Sequence, residues 1–441
     1  MNTLPDVRGT RPGVDRLQEA TAPQNVQTAT AIPVPAGEVA VPLTRRHPLR
    51  SRLQSVWEWA AGLDIRWRYP LLIFVATRVL YLAIAGVDHF VRTGSRGHMW
   101  SLGRELSNWD GNWYLNVARY GYAHHLILTH WNTLGFLPLF PMLIWLLVHA
   151  LPMSDVVAGV LISTITGATA TVLIARLVNR WFGEDAVRRG ILFFCLFPGS
   201  IVFSMVYTEG LLLTLVVGCL LAMEDRRWVL AGVLAGLSTA VGPVALAIIP
   251  ACAAAAFMEI RRRGWHDRGA LRSLAAPVLA PLGLVGFGIF LWAWTGTPLA
   301  SYKTQKIDWH ETTTPLAVPR ALVTVIKQAL GVEGSPHANV DLNLVVGILG
   351  TVFLFWGLIH MWRIRHRISL PAWVWTGAIV FMTLTSNSTP PNARMLICAF
   401  PVLMTLGAQV RGRAYTRLLT GSAVMLIVMS MITFVSTGLR P

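Results

Sequence analysis

The sequence predicts an all-α integral membrane protein, a polytopic bundle of about ten to twelve transmembrane helices with an amphipathic first outer loop. Three observations carry this. The 441 residues are 54% hydrophobic and only 13% charged, where a soluble domain carries roughly 25% charge. The mean hydropathy is +0.54, and the apolar residues fall in long runs. The 18 tryptophans suit the membrane–water interface, where the indole ring is apolar and its N–H is wet.

Charge narrows the class further. The net charge is +16, from 37 Lys+Arg against 21 Asp+Glu. Such a balance would suit nucleic acid, but the basic residues form short clusters between apolar spans. That is the positive-inside pattern, so the expected partner is the membrane and not nucleic acid. Cys195, Cys219, Cys252 and Cys398 all lie in apolar segments. They read as buried free thiols, with neither C-x-x-C nor zinc spacing.

Residues 1–69 are polar and rich in Pro, Ala, Thr and Arg. They read as a disordered, basic, cytoplasmic N-terminus. No cleavable signal is expected, and the first apolar run should act as a signal anchor. Residues 70–441 then form one transmembrane domain. Candidate spans are 70–86, 134–151, 155–178, 190–206, 209–223, 228–241, 244–258, 272–294, 341–362, 371–386, 393–409 and 415–437. Basic clusters at 45–52, 176–189, 226–227, 261–272, 363–367 and 411–417 should face the cytoplasm. The first outer loop is then 87–133 and the late one 295–340, with Tyr207-Thr208-Glu209 and Asn392-Ala393-Arg394 also outside. One conflict arises. If 134–151 and 155–178 both cross, the 176–189 cluster falls outside. Either one of these elements does not fully cross, or that cluster lies along the outer interface.

Between the first two apolar runs lies Trp109-Asp110-Gly111-Asn112-Trp113-Tyr114, continuing to Ala118-Arg119-Tyr120-Gly121-Tyr122. A carboxylate on a short amphipathic segment at the membrane surface is placed to take a proton from an acceptor. The competing reading of Asp110 is helix capping. Ser107-Asn108-Trp109-Asp110 fits S-x-x-D, with Asp110 in the first turn. The two are compatible, since a cap also fixes where a carboxylate points. The aromatics form i,i+4 pairs and suit interfacial anchoring equally well.

Other polar residues each allow two readings. Arg78 lies midway along the first span, either as a structural tie between helices or as a phosphate ligand. Glu209 interrupts a long apolar run, either at a plain turn or at a site. Arg394 opens a span after Pro390-Pro391, either snorkelling to the interface or facing a cavity. No D-x-D or E-x-D pair occurs in any predicted outer loop. A metal held against a diphosphate usually needs such carboxylates, so no metal and no cofactor are expected. A donor with a single phosphate fits better, its departure assisted by cations drawn from His124, His125, His130, Lys303, Lys306 and Arg394.

The combination is more specific than its parts. W-D-x-x-W-Y-L-x-x-A-R-x-G-Y, then F-x-P-L-F-P, then F-P-x-S with S-x-x-Y-T-E, then A-G-L-S-T-A, then a late Arg before F-P, resembles the PIG-V-like family, relatives of the second GPI mannosyltransferase. The likeness covers about residues 70–410 and is strongest over 107–141 and 197–210. It implies a GT-C fold and inverting transfer of mannose from a polyprenyl phosphate. It implies Asp110 as catalytic base, with Glu209 and Arg394 near the donor or acceptor. Arg78, Trp109, Asn112, Tyr114 and Tyr207 complete the candidate substrate-binding set. One departure stands out: where family members often carry Thr-Arg-Pro, this chain has Val241-Gly242-Pro243. The basic N-terminus and the Arg/Ala content suit a bacterial, actinobacterial member.

The expected function is therefore a glycosyltransferase of the bacterial plasma membrane, with its site on the outer face. It would move a hexose from a polyprenyl-phosphate sugar to a lipid, glycolipid or cell-envelope acceptor. Two rivals are a sugar-lipid transporter and a catalytically inactive subunit of a glycosylation complex. A transporter calls for repeated halves and paired midplane charges, whereas here the acids cluster at span ends.

Overall fold

The apolar runs become helices because a buried backbone in lipid must satisfy its own hydrogen bonds. The computed structural model describes residues 62–93, 99–126, 132–332, 341–387 and 391–435. The expected N-terminal segment therefore lies outside the described residues up to residue 61, as does His130. Among the described residues the structure is all α, apart from an isolated bridge between Thr313 and Ser386.

In chain order the helices are α1 (Arg68–Thr93), α2 (Met99–Leu106), α3 (Asp110–Tyr120), α4 (Leu139–Ala150), α5 (Asp155–Phe182), α6 (Glu184–Leu196), α7 (Glu209–Glu224), α8 (Trp228–Ser238) and α9 (Ile248–Arg263). There follow α10 (Arg268–Thr295, assembled from short helical pieces), α11 (Ala300–Ile307), α12 (Ala317–Ala329), α13 (Leu342–Arg363), α14 (Leu370–Thr385), α15 (Ala393–Cys398), α16 (Phe400–Gln409) and α17 (Gly412–Val435).

Six of the described helices are long and apolar enough to cross a membrane, or seven if a bent pair counts as one span. The chain is a polytopic membrane protein. The sequence predicts ten to twelve spans, and the difference is one of length. The expected span 190–206 is α6 followed by a 3₁₀ turn over Pro198–Ser204, bent by 73°. The expected span 393–409 is divided into α15 and α16 where Ala399 leaves helical geometry. The 295–340 stretch, expected as a loop, folds in part into α11 and α12.

The bundle has two distinct ends. At one, Arg180 pairs with Asp225 at 2.8 Å and Arg263 with Glu259 at 2.7 Å. There too Tyr69 donates to the Arg188 carbonyl, and Tyr415 to that of Arg189. With Arg226 also paired to Glu259, these contacts bring the basic clusters at 176–189, 226–227, 261–272 and 411–417 to one end. At the other, Arg119 of α3 pairs with Asp155 at the start of α5. Trp294 donates to the Tyr122 carbonyl, and Thr314 pairs with Thr385 through their backbones.

This geometry resolves the topological conflict. The 12 residues of α4 span about 18 Å at 1.5 Å each, short of the ~30 Å hydrocarbon thickness. Helix α4 starts and finishes near α3. The 28 residues of α5 are long and apolar enough to cross, and they carry the chain from Asp155 to the 176–189 cluster. Ser154 caps α5 by accepting from the Val157 amide. Glycine at 183, with φ 83°, ends it.

Helices α5, α6 and α7 form the core. In lipid, helices associate through close packing of small residues more than by expelling water. The α5–α7 crossing follows that rule. A Cβ on Gly210 would meet the Ser163 carbonyl at 2.6 Å and the Gly167 amide at 2.8 Å. The 16 residues of α7 are buried on nearly every face. Apolar side chains such as Val75, Val79, Ile165, Val278, Ile289 and Val352 point outward on the rim.

Candidate active site

Three charged residues from distant parts of the chain meet at the end opposite the basic clusters. Arg394, at the start of α15, donates from Nε to Glu209 and from Nη1 to Asp110. Its guanidinium also lies over the Tyr207 ring, 4.8 Å from the centroid. A planar fork of donors suits two carboxylates at once. The two acids outweigh the one arginine, so the cluster carries a formal charge of −1 when all are ionised.

Each member is held by local structure. Asn392 caps α15 by accepting from the Met395 amide at 2.9 Å, which fixes Arg394 in the first turn. The chain around Arg394 is gripped by two glycines. A Cβ on Gly199 would lie 2.0 Å from the Ala393 carbonyl oxygen, and one on Gly350 would lie 1.8 Å from that of Pro391. Only residues without Cβ allow such an approach. Glu209 opens α7, directly after the segment that pairs with Leu106 through the Val206 amide. Ser163 accepts from the Tyr207 amide and donates to the Tyr207 carbonyl. Ser163 lies just over two turns into α5, so Tyr207 and Glu209 sit about 12 Å below its start.

Asp110 opens α3 and lies in its first turn as expected, but the Ser107 capping box does not form. The N-cap is Trp109, with φ 63° and no side-chain cap bond. Ser107 instead contacts the Arg104 carbonyl and Asn112 Oδ1. The turn is shaped by close approach: a Cβ on Gly111 would meet the Val206 carbonyl at 3.1 Å. This presses the start of α3 against the Tyr207 segment and aims Asp110 at Arg394.

Burial is graded across the cluster. The side chain of Glu209 is 3% exposed, that of Arg394 17% and that of Asp110 28%. Asp110 faces the opening and Glu209 the interior. Glu209 Oε2 is enclosed and has no hydrogen-bond partner among the described residues. Tyr114 forms a buried wall with Phe136 and Phe140, ring centroids 5.1 and 5.2 Å away. Burial, then the neighbouring charge of Asp110, pushes its phenol above the ordinary value. Trp113 stacks on Phe136, and Trp309 stands edge-on to both. These rings join the first polar segment to the late one. Asn132 Nδ2 adds a 2.6 Å bond to Asp308.

The structure thus brings together Asp110, Tyr114, Tyr207, Glu209 and Arg394. Trp109 is half-buried beside them and Asn112 is exposed on α3. Arg78 is elsewhere. It is 4% exposed and donates to the Cys195 carbonyl and to the hydroxyls of Ser200 and Ser204, as well as to the Ser200 carbonyl. These groups line the break after α6, where helix carbonyls lose their partners. Arg78 acts there as a tie. Of the candidate cations, His124 stacks on Trp294 at 4.1 Å, and Lys306 is exposed on α11. Gly242, at the place of family divergence, is extended and has open space around it. Gly199, Gly350 and Ser163 do not stand out in the sequence, and Asn392 does so only as part of the outer segment before Arg394. Gly199 does fall in the F-P-x-S motif, which was the available signal.

Among the described residues no group of three His, Cys, Asp or Glu side chains is close enough to hold a metal. No family model matches the chain, and no curated protein does. Among solved structures it is similar to the oligosaccharyltransferase of Archaeoglobus fulgidus, which was solved with a tethered acceptor peptide. The identity is 12% and the TM-score 0.40, over 83% of this chain and 56% of that one. The chain thus matches little more than half the length of that protein.

Proposed function

We propose that this chain is a GT-C-type membrane glycosyltransferase. It moves a hexose, mannose by the motif resemblance, from a polyprenyl phosphate to a lipid-linked or cell-envelope acceptor. The observation that supports this most is the meeting of Asp110, Glu209 and Arg394 in one graded, partly open cluster. The cluster lies at the end of the bundle away from the arginines. By the positive-inside rule that end is the outer face of a bacterial plasma membrane.

The chemistry follows from the arrangement. The acceptor hydroxyl attacks C1 of the sugar, opposite the phosphate. The C1–O bond breaks with its electron pair going to the polyprenyl phosphate, and the configuration inverts. Asp110 takes the hydroxyl proton as the bond forms. Its pairing with Arg394 holds the carboxylate in place. Arg394 engages its Oδ2, and the proton goes to Oδ1. Arg394 uses Nε and Nη1 on the two acids. Nη2 is left for the departing phosphate, whose charge a fixed donor stabilises. Glu209 is a positioning residue that holds the guanidinium plane. The membrane presents both lipids at one depth, which supplies proximity. No metal or cofactor is part of this reading.

A transporter is the lesser reading, because the mid-span charge it would use, Arg78, is already committed to groups of the 195–204 segment. The test is Asp110→Asn in membranes supplied with a labelled polyprenyl-phosphate hexose. The amide keeps the size and cannot take a proton, so transfer should fall at least a hundredfold, the lower end of what general bases contribute being about 10². Undiminished transfer would remove Asp110 as base. Absence of transfer in the parent protein, with any of several lipid acceptors, would favour the inactive-subunit alternative.

A further inference from the structure

The basic end of the bundle holds a second feature that the transfer reaction does not use. A cleft of about 640 Å³ opens where the last turns of α5, α13 and α16 meet the first turn of α6. Its charged lining is Arg189, Arg363, His366, Arg367 and Arg411, against the single acid Asp185. Other arginines at this end have carboxylate partners: Arg180 with Asp225, Arg188 with Glu184, Arg226 and Arg263 with Glu259. Those of the cleft do not. Among the described residues Arg363, Arg367 and Arg411 make no side-chain hydrogen bond or ion pair. Arg189 is the exception in kind, since it ties α6 to the Gly407 and Ala408 carbonyls of α16.

Helix C-termini favour cations, which suits Arg363 in the last turn of α13, whereas Arg411 directly precedes the start of α17. Gathering them around one cavity is a different matter. Like charges repel in a low-dielectric cleft, and Asp185 is the one acid in the lining to offset them. Guanidinium groups that converge without carboxylates match a phosphate, whose oxygens accept paired N–H bonds. The rim supplies the other half of a membrane address. Trp362 is 62% exposed, with Arg365 over its ring and Trp373 edge-on to it. Exposed Trp beside Arg at a helix end is characteristic of the headgroup layer.

We infer that this cleft is a binding site for a phosphate-bearing headgroup, separate from the site of Asp110 and at the opposite end of the bundle. Basic pockets between transmembrane helices on the cytoplasmic side hold anionic lipid headgroups by this chemistry. The shared chemistry also admits a soluble phosphate compound, and the experiment separates the two.

The experiment uses the purified full chain in neutral detergent, with lipid binding followed by native mass spectrometry. Phosphatidylglycerol, cardiolipin and phosphatidylcholine are titrated in turn. The variant Arg363→Gln/Arg367→Gln/Arg411→Gln removes the unpaired cations and leaves the Arg189 tie. The control Arg261→Gln/Arg268→Gln/Arg272→Gln removes as much charge from the same end, outside the cleft. Each arginine near an anionic surface contributes roughly fivefold in binding, so the cleft variant should bind the two anionic lipids on the order of a hundredfold more weakly. The control should change them only severalfold, and phosphatidylcholine should be indifferent to both. Unchanged melting of the cleft variant in lipid-free detergent would show that it folds. Displacement of the lipid by millimolar inorganic phosphate would support the site and assign it to a soluble phosphate compound. Equal loss in cleft variant and control, or equal binding of all three lipids, would overturn the proposal. Loss of hexose transfer is not a readout here, so failure of the catalytic reading would leave this result standing.

Discussion

The most demanding prediction concerns the Arg394 fork. The two carboxylates it holds differ in exposure, Glu209 at 3% and Asp110 at 28% of the side chain. Electrostatics in such a pair depends on how far water is excluded. Arg394→Met would leave Glu209 as an enclosed, uncompensated carboxylate, and removing one partner of a buried pair costs about 3–5 kcal/mol. Adding Glu209→Gln to Arg394→Met removes that charge, so the double variant should be more stable than Arg394→Met alone. The coupling energy between the two positions should reach about 1–3 kcal/mol. The same cycle with Asp110→Asn should give less, about 0–1 kcal/mol, because that arm is open to solvent. Arg394→Lys keeps the charge and loses the fork, so it should retain much of the stability and lose most of the transfer rate. The assay is reversible denaturation of the purified chain in detergent, paired with turnover in membranes. Two results would refute the reasoning. One is tolerance of Arg394→Met. The other is a coupling to Asp110 as large as that to Glu209, which would mean that the cluster is uniformly wet.

Two further outcomes follow from the same geometry. Transfer should persist in excess EDTA, because the two site carboxylates are both engaged by a guanidinium; a chelator-sensitive rate restored by Mg²⁺ or Mn²⁺ would require another ligand set. Gly199→Ala places a Cβ where the Ala393 carbonyl now lies at 2.0 Å, and overpacking of this kind costs about 1–3 kcal/mol. It should also lower the rate by displacing Arg394, whereas Gly377→Ala, with open space around it, should alter neither; a silent Gly199→Ala would mean that the α15 segment is not held by close packing.

The sequence showed the membrane class and the path of most helices, since apolar runs and basic clusters are one-dimensional signals. It could not show which runs are too short to cross, and α4 is the case that mattered. Residues 134–151 look like a span by composition, yet Pro138 and Leu151 leave only the helix Leu139–Ala150. Asp110, Glu209 and Arg394 could be placed at span ends, but their meeting depends on Gly111, Gly199, Gly210 and Gly350. Each of these glycines removes a Cβ at a contact between segments far apart in sequence, and a contact of that kind leaves no local pattern.

The two notable arginines show the same limit in sharper form. Arg78 and Arg394 both sit next to apolar runs, and the sequence left two readings open for each: a tie or a phosphate ligand for Arg78, snorkelling or a cavity for Arg394. What separates them is the direction of the helix end that each one meets. Arg78 lies at the break after α6, where carbonyl groups converge and a cation is favoured without any carboxylate. Arg394 lies in the first turn of α15, where the amide groups disfavour a cation. It is stable there only because Glu209 and Asp110 approach it. An arginine placed against its own helix dipole and held by two acids is a poor structural tie, since one carboxylate in an uncapped or neutral setting would do that work at less electrostatic cost. The arrangement makes sense if the cation is needed at that point for a negatively charged group that comes and goes, and the phosphate of a departing lipid carrier is such a group.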